Sequence, residues 1–476
     1  MILLVSILSF VLSFAILYVT RFYLTRGRLL TGDTFFHLLI CKSIRNNRGK
    51  FPSSIQNVVF SEIDKNYNYL AYPPLFHYII ALFPTKFHQK IAEYFSIVML
   101  SFVSSTTAIF VYTSTSELGL AMMSAFIVAL NFSALSLVVQ FSPRPMGLIF
   151  YSLIVCLAVF LPENPFLLIA IALLVALVSL PHKFAMQALT FGFLPFIFVF
   201  GKPYFLLSFV LGFLLSILIS KGFYLRILEE QLRWLRFYKD RPRKTQLAHD
   251  LASIFGGNAW ILQIAISILF VFFQSNGSLL ENLPRNDLMT KLIFWAFINI
   301  LIALLVSISA LSFLGEYNRY VEYSLVSIGI AASLFVASLG PYILIISFVC
   351  IGVSLLALLQ FRRYLVQSKA LVDPCDVLSY LSLRDYGLSN LLVFPGNRTL
   401  EVCYYSGLSV IHPVRGANTP SEQIANLTNN FEIRYILKFK GEDHYQLFAT
   451  ISNITSMKKI ADFKNFELYR IAQEKT

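Results

Sequence analysis

Charged residues are scarce in this chain of 476 residues, since Asp, Glu, Lys and Arg make up only 13% of it. Soluble domains carry about 25% charged residues, so the scarcity excludes an ordinary soluble protein. Hydrophobic residues make up 57% and the mean hydropathy is +0.70, which predicts a polytopic membrane protein. The net charge of +13 favours anionic lipid head groups and phosphates as partners. The sequence has no basic soluble domain or nucleic-acid-binding motif, which argues against a nucleic acid partner.

Cysteine is also rare. The five cysteines include no Cys-x-x-Cys pair, which argues against a zinc knuckle or a redox motif. The first apolar run, residues 2–20, lacks the charged start and the small-residue cleavage site of a secretory signal peptide. Because a crossing needs about 20 residues, we expect this run to be a retained first transmembrane span.

Further apolar segments predict about eleven spans within residues 1–365, separated by junctions rich in Pro and Gly such as "SPRP", "PENP" and "LGPY". The ten segments after the first span lie near residues 91–113, 118–139, 146–161, 165–180, 184–200, 203–220, 256–274, 290–313, 320–338 and 341–361. Residues 24–90 form a polar and aromatic first loop. Its two short apolar pieces, near 34–44 and 73–84, are expected to lie in the membrane interface.

A basic and amphipathic stretch, residues 221–250, predicts a helix that lies on the membrane surface. Its leucines recur at helical spacing: Leu225, Leu228, Leu232 and Leu235. We expect it to be an interfacial anchor, although it is also suited to recruiting an anionic lipid carrier.

The composition changes from about residue 366, where charges become frequent and short β-rich runs follow one another. These runs are "NLLVFP", "LSVIHP", "RYILKFK", "YQLFATI" and "FELYRI", with helical stretches near 375–386 and 420–430. The predicted fold is therefore a polytopic all-α membrane domain over residues 1–365, followed by a small soluble α/β domain over residues 366–476.

Alternation of the spans predicts that the polar motifs gather on one membrane face. With eleven crossings, the first loop shares a side with Arg144, His182, the 221–250 helix, the segment around 315–322 and the C-terminal domain. Lys and Arg are frequent on that face, which argues for the cytoplasm. Three N-x-[S/T] sequons in the C-terminal domain, at Asn397, Asn426 and Asn453, argue for the opposite compartment. The residues alone leave the compartment open.

Two motifs in the first loop carry candidate chemistry. In "TGDTFFHLLI", Asp33 is suited to capping a helix that starts at Thr34, or to acting as a general base or as a metal ligand with His37 four residues later. In "YPPLFHY", two prolines fix an extended entry to an apolar helix that carries His77. That segment is either a rigid connector or a place where His77 contacts a polar substrate group.

Together, "DTFFH" and "YPPLFHY" resemble motifs of the GT-C superfamily of integral-membrane glycosyltransferases. "DTFFH" is similar to the Asp-x-x-Phe-His stretch of oligosaccharyltransferase catalytic subunits, and "YPPLFHY" is similar to a Pro-Pro-Leu element of bacterial and archaeal GT-C transferases. The motifs cover roughly residues 1–145. The resemblance implies a polyprenyl-phosphate-linked sugar donor, a catalytic role for Asp33, inversion at the sugar carbon, and an extracytoplasmic first loop and C-terminal domain.

The sequence departs from oligosaccharyltransferases in two ways. It lacks their Trp-Trp-Asp motif, since its three tryptophans are isolated, and its next outer loop has no Asp-x-Asp pair. These absences argue against protein N-glycosylation and against dependence on a metal, although a divalent metal is left open as a cofactor.

Basic residues at predicted span ends are candidates for binding phosphate. Arg144 lies between two prolines, where a guanidinium suits a bidentate phosphate contact or simply extends to the interface. His182 and Lys183 suit phosphate or sugar contact, or a helix end. In "GEYNRYVEYS", Glu316, Arg319 and Glu322 are three residues apart, so they form either a structural ion-pair network or a site in which the carboxylates orient Arg319 toward a lipid phosphate.

The function predicted from these residues is transfer of a sugar from a polyprenyl-phosphate-linked donor to an acceptor glycan, lipid or protein on the outer face of the membrane. Asp33 is the predicted general base; His37, His77, Arg144, His182, Lys183, Glu316, Arg319 and Glu322 are the predicted substrate-binding residues. A multi-pass protein of the plasma membrane is expected, with membrane lipids as further partners. A flippase for lipid-linked sugars and a non-catalytic membrane assembly protein are the alternatives.

Overall fold

A computed structural model describes the chain except for residues 31, 53–54, 56, 61–71, 161–163, 240–258, 275–286, 309–310, 312–313, 315–316, 340, 368–370, 389, 395–397, 413–432, 441–456 and 472–476. It divides into two compact units. Unit 1 comprises Met1–Gly27, Tyr72–Phe76 and Tyr94–Leu365, and unit 2 comprises Arg28–Ala71, His77–Glu93 and Val366–Thr476.

Helices dominate the chain up to residue 367. They are α1 (Ile2–Thr25), α2 (Asp33–Asn46), α3 (Leu75–Ala81), α4 (Thr85–Thr115), α5 (Leu118–Leu130), α6 (Phe132–Leu137), α7 (Arg144–Phe160), α8 (Pro165–Ser179), α9 (Lys183–Val199), α10 (Pro203–Ile219), α11 (Phe223–Lys239), α12 (Ala259–Gln274), α13 (Asp287–Val306), α14 (Tyr317–Glu322), α15 (Leu325–Leu339) and α16 (Pro341–Gln367). Prolines at the predicted junctions start several of these helices, because proline suits the first helical position. Asn164 additionally caps α8 by accepting a hydrogen bond from the Leu167 N–H at 2.8 Å.

An apolar helix occupies each segment that the sequence predicts as a span, but the number of crossings is not confirmed. Among the described residues, four helices are long and apolar enough to cross a membrane: α1, α4, Leu288–Val306 of α13 and Ile345–Gln367 of α16. The bent pair α10–α11 adds a fifth if it is one span. The other apolar helices have 10–17 residues, which is short for a bilayer core about 30 Å thick.

Glycines allow close packing between helices within unit 1. A Cβ atom at Gly212 of α10 would lie 2.5 Å from the Ala172 carbonyl oxygen of α8, and one at Gly329 of α15 would lie 2.5 Å from Val128 of α5. Membrane helices associate through such small residues, because lipid provides no hydrophobic driving force between them.

Replacing Gly192 of α9 with alanine is expected to destabilise unit 1 by about 1–3 kcal/mol, the cost of overpacking a filled core. The new Cβ would lie 2.6 Å from Cζ3 of Trp295, a fully buried ring on α13. Gly352→Ala is the matched control, because a Cβ there has open space and alanine favours the helix by up to about 1 kcal/mol. Thermal unfolding in detergent measures both; equal midpoints for the two variants would contradict the tight α9–α13 contact.

Unit 2 contains a six-stranded mixed sheet in the order β1-β3-β2-β4-β6-β5. Its elements are β1 (Val58–Phe60), α17 (Pro374–Ser382), a 3-10 turn (Leu383–Tyr386), β2 (Leu391–Phe394), α18 (Thr399–Ser406), β3 (Val410–His412), β4 (Tyr435–Phe439), β5 (Met457–Asp462) and β6 (Phe466–Ile471). The pairs β1–β3, β3–β2 and β2–β4 are parallel, whereas β4–β6 and β6–β5 are antiparallel. All four residues of β2 are buried, as expected for a parallel strand covered on both faces.

Four of the predicted strand segments are confirmed, namely those that hold β2, β3, β4 and β6. The predicted strand "YQLFATI" and the predicted helix near 420–430 lie outside the described residues. The sequence analysis missed β5, α18 and β1, and β1 is contributed to the sheet by the first loop.

A buried carboxyl group in unit 2 is bonded on two sides. Glu401 of α18 is fully buried, accepts a hydrogen bond from the Tyr380 hydroxyl at 2.9 Å, and lies 3.2 Å from Nη1 of Arg398. Burial raises the pKa of Glu401 from an ordinary value of 4.5 to about 7, against the opposing effect of the Arg398 charge. The folded unit therefore holds this proton at pH values where the unfolded chain has lost it.

Unit 2 is consequently expected to lose stability through Glu401 as the pH rises from about 4.5 to above 7. The folded state binds this proton more tightly than the unfolded chain does, so protonation of Glu401 stabilises the fold at low pH. A pKa shift of this size corresponds to about 3 kcal/mol in the free energy of unfolding. Hydrogen exchange of α18 across this pH range measures the effect as the difference between wild type and Glu401→Gln, whose neutral amide does not titrate. Parallel pH profiles for the two proteins would refute a raised pKa.

Candidate functional site

The first predicted site residue, Asp33, begins α2, and its side chain is exposed. The interpretation of Asp33 as the cap of a helix starting at Thr34 is wrong. Gly32 is the N-cap residue, with φ +74°, and its carbonyl oxygen accepts hydrogen bonds from the N–H groups of Phe35 and Phe36. Glycine takes this left-handed conformation without strain, so the helix starts one residue earlier and the Asp33 carboxylate is not used as a cap.

His37 and His77 form a buried pair in unit 2. Nδ1 of His37 lies 3.0 Å from Nε2 of His77, and the two side chains are 3% and 0% exposed. The edge of the Phe51 ring packs on His77. One imidazole donates to the other, which ties α2 to α3 across 40 residues of sequence. The sequence analysis assigned both histidines to substrate binding but did not predict this bond.

A second group of predicted residues meets in unit 1, and we call Arg144, His182, Lys183, Arg319 and Glu322 the basic cluster. Nη1 of Arg144 lies 2.6 Å from Oε1 of Glu322, and both side chains are more than nine-tenths buried. Nδ1 of His182 lies 3.4 Å from the hydroxyl oxygen of Tyr323. The ring of Phe184 has Lys183 Nζ at 5.4 Å and Arg319 Cζ at 5.0 Å from its centre.

Glu316, the remaining predicted residue, lies outside the described residues. The expected role of Glu322 was to orient Arg319 at three-residue spacing. The structure pairs it with Arg144, 178 positions away in sequence.

Two helix N-termini carry three residues of the basic cluster, and α14 carries Arg319 and Glu322. Arg144 is the first residue of α7 and Lys183 the first of α9, with His182 as the N-cap of α9. The helices approach closely because residue 147 is glycine: a Cβ there would lie 2.9 Å from Cβ of Ala185 and 3.4 Å from Cβ of His182. A cation at the positive end of a helix dipole is unfavourable on its own. Two such ends beside Arg144, Lys183 and Arg319 outweigh the single carboxylate of Glu322, so the place suits an anion such as phosphate.

Polar side chains extend the basic cluster toward the helix core. The Tyr323 ring lies 4.9 Å from that of Tyr151, and the Tyr151 hydroxyl oxygen accepts a hydrogen bond from Nδ2 of Asn299 at 2.8 Å. The Tyr72 ring lies 6.5 Å from that of His182. The sequence analysis assigned no role to Tyr151 or Asn299, because a single polar residue in an apolar helix gives no sign of its partner.

Arg21, near the end of α1, is a further residue that the sequence analysis missed. It is 4% exposed and donates from Nη1 to the carbonyl oxygen of Val138 at 2.6 Å, at the C-terminal end of α6. The Ser96 hydroxyl donates a hydrogen bond to the carbonyl oxygen of Gln140. These bonds fix the segment that leads from α6 to Arg144. The available signal was an arginine directly after the apolar run 2–20, since a charge at the end of a membrane span is costly and tends to mark a functional site.

We searched the described residues for side chains that could together bind a metal ion. Among those residues, no three His, Cys, Asp or Glu side chains come together to hold an ion.

Comparison with known proteins gives no family model and no curated protein that matches the sequence. Solved structures do match. The crystal structure of ArnT from Cupriavidus metallidurans in the apo state superposes with a TM-score of 0.63 at 11% identity, over 97% of each chain. ArnT, the oligosaccharyltransferase AglB and the arabinofuranosyltransferase AftD, which also match, are GT-C glycosyltransferases. The chain has the GT-C fold.

Two other solved proteins share the GT-C fold with this chain. The oligosaccharyltransferase AglB from Archaeoglobus fulgidus, in complex with an inhibitory peptide and a dolichol-phosphate, has a TM-score of 0.52 at 10% identity over 91% of this chain and 69% of AglB. The arabinofuranosyltransferase AftD from Mycobacteria has a TM-score of 0.54 at 12% identity over 98% of this chain and 40% of AftD. The GT-C fold and the apolar helices together support an integral membrane protein.

Proposed function

We propose that the chain is a glycosyltransferase that moves a sugar from a polyprenyl-phosphate-linked donor to an acceptor. The observation that carries the proposal is the match along nearly the whole chain to ArnT, which has also been solved bound to undecaprenyl phosphate, at a TM-score of 0.62 and 12% identity. The basic cluster supports it independently, because it gathers three cations and one carboxylate near the N-termini of α7 and α9, and this excess of positive charge suits a phosphate.

In the proposed reaction, an acceptor hydroxyl oxygen attacks the anomeric carbon of the sugar and the bond from that carbon to the phosphate oxygen breaks. Asp33 accepts the proton of the hydroxyl as general base. Its exposed carboxylate at the start of α2, which is not used in capping, supports this role. The single displacement inverts the configuration of the anomeric carbon, and the lipid phosphate leaves as an anion.

Arg144 is proposed to bind the phosphate of the lipid carrier, with Arg319 and Lys183 adding positive charge. Glu322 holds the Arg144 guanidinium in place through one of its nitrogens, and a guanidinium has further N–H donors in its planar fork. Donors fixed in advance stabilise charge that develops on a leaving group without having to reorganise during the reaction. His182, next to Tyr323, is proposed to contact the phosphate or the sugar. The hydrogen bond between His37 and His77 supports a role for this pair in fixing the position of α2, which carries Asp33.

The proposal is tested with the purified full chain in liposomes that contain a radiolabelled polyprenyl-phosphate hexose and a membrane extract as the source of acceptors. We expect the label to move into an acceptor fraction while free polyprenyl phosphate accumulates. Liposomes without protein control for spontaneous hydrolysis. If the donor stays intact and only moves between leaflets, the alternative of a flippase is correct and the transferase is excluded.

The membrane face is also proposed, namely a multi-pass protein of the plasma membrane with its C-terminal domain outside the cytoplasm. The asparagines of the three sequons that support this face lie outside the described residues. Alkaline phosphatase fused at the C-terminus is expected to be active, because it folds in an oxidising compartment. An inactive phosphatase together with a fluorescent cytoplasmic reporter at the same position would reverse the orientation.

A further inference from the structure

The helix α11 leaves α10 at a sharp and well-bonded corner. The axes of Pro203–Ile219 and Phe223–Leu232 are bent by 112°. Lys221 and Gly222 take left-handed conformations, with φ +51° and +79°, and the Gly222 N–H donates to the Ile217 carbonyl oxygen at 2.8 Å. The hydroxyl oxygen of Ser220 accepts from the Tyr224 N–H at 3.0 Å. Backbone groups at the end of α10 and at the start of α11 therefore have hydrogen-bond partners. These bonds define a specific turn between the two helices.

The exposed side of α10 indicates a membrane boundary at the corner. Apolar side chains are exposed along its length, and this exposure continues to its last turn, where Leu218 is 73% and Ile219 is 55% exposed. Lys221 follows after Ser220 and is exposed. An apolar surface that ends at a lysine is typical of a helix leaving the hydrocarbon region. A turn somewhat past perpendicular directs α11 along the membrane surface and slightly back toward the bilayer.

α11 has one face against unit 1 and another that is uncovered. Tyr224 and Ile227 are buried, and the Tyr224 ring packs edge-on against Phe213 of α10 at 5.8 Å. Leu225 and Leu232, two helical turns apart on one side, are 51% and 56% exposed. Arg226, beside Leu225, is exposed as well.

The charges and apolar residues of α11 indicate what binds its uncovered face. Between residues 223 and 239 it has four basic and two acidic residues, and Arg241, Arg243 and Lys244 follow within five positions. Exposed leucines beside arginines, on a helix that starts at the membrane boundary, match a helix lying in the interface with its apolar side chains at the acyl boundary. Each Lys or Arg near an anionic surface contributes about 1 kcal/mol of attraction.

We propose that α11 is a binding surface for anionic phospholipids, with Leu225 and Leu232 inserted at the acyl-chain boundary and Arg226 bound to lipid head groups. The surface uses none of the residues of the basic cluster and does not depend on the proposed transfer reaction.

The experiment uses the full chain with Cys375, the exposed cysteine, replaced by serine. Single spin labels are placed through Leu225→Cys and Leu232→Cys, and the chain is reconstituted in phosphatidylcholine bilayers with or without phosphatidylglycerol. Collision rates with oxygen and with a water-soluble nickel chelate report depth. Leu207→Cys on α10, 56% exposed, is the reference for lipid, and Tyr386→Cys in unit 2, 44% exposed, is the reference for water.

We expect the oxygen-to-nickel ratio at positions 225 and 232 to exceed that at 386 several-fold, and to rise further with phosphatidylglycerol while position 207 stays constant. Arg226→Gln is expected to reduce the lipid-dependent rise. Labels at 225 and 232 that match position 386 in both bilayers would overturn the proposal, as would labels shielded from both reagents, which would indicate a protein partner. Insertion that is indifferent to phosphatidylglycerol would overturn the anionic-lipid assignment.

Discussion

Replacing Asp33 with asparagine is expected to lower the rate of sugar transfer by about 10²–10⁴-fold, the usual contribution of a general base. Asparagine has the same shape as aspartate but accepts no proton at neutral pH. The Asp33 side chain is exposed and is not used as a helix cap, so the substitution removes no bond that the fold needs. The turnover number is expected to fall, while the KM for the polyprenyl-phosphate donor changes little, because the lost interaction forms only in the transition state.

Asp385→Asn is the matched control for this substitution. Asp385 is also an exposed aspartate in the first turn of a short helix of unit 2, so the same chemical change is made in a similar local setting. Its transfer rate is expected to equal that of wild type. If Asp33→Asn were as active as Asp385→Asn in the liposome assay, Asp33 would have no part in the chemistry, and another base would have to be sought.

Local sequence patterns predicted the helices well and the sheet only in part. Apolar runs bounded by proline located α8, α10 and α16, because proline at the first turn is a strong local signal. The strand β1 has three residues and owes its place to pairing with β3, more than 340 positions later in sequence. No local pattern records such a partner, so β1 was not predictable.

The candidate site shows the same division. The types of residues suited to phosphate and proton transfer were visible, because an Arg or Asp in an apolar chain stands out. Their partners were not visible: Glu322 was interpreted through its neighbours at three-residue spacing, and its bond to Arg144 depends on how α7 meets the segment before α15. The error at Asp33 has a different origin, since the preference for aspartate as an N-cap was overridden by the left-handed conformation of Gly32.

Variants of the buried pair Arg144–Glu322 test whether this pair stabilises the fold, binds the phosphate, or does both. Arg144→Gln leaves the Glu322 carboxylate buried without this cation, and removing one partner of a buried pair typically costs about 3–5 kcal/mol. Glu322→Gln likewise leaves the Arg144 guanidinium buried without this carboxylate. Either single variant is therefore expected to unfold at a clearly lower temperature in detergent and to lose transfer activity, and neither alone shows what the pair is for.

The double variant Arg144→Gln/Glu322→Gln resolves this ambiguity. Two neutral amides can bond to each other, and the double variant leaves no unpaired charge buried, which is the main cost of each single variant. We expect its unfolding temperature to return toward that of wild type while transfer remains at least 10²-fold slower, because no guanidinium is left to bind the phosphate. A double variant that regained both stability and transfer would show that the pair serves the packing of α7 alone, and the phosphate site would have to be sought elsewhere.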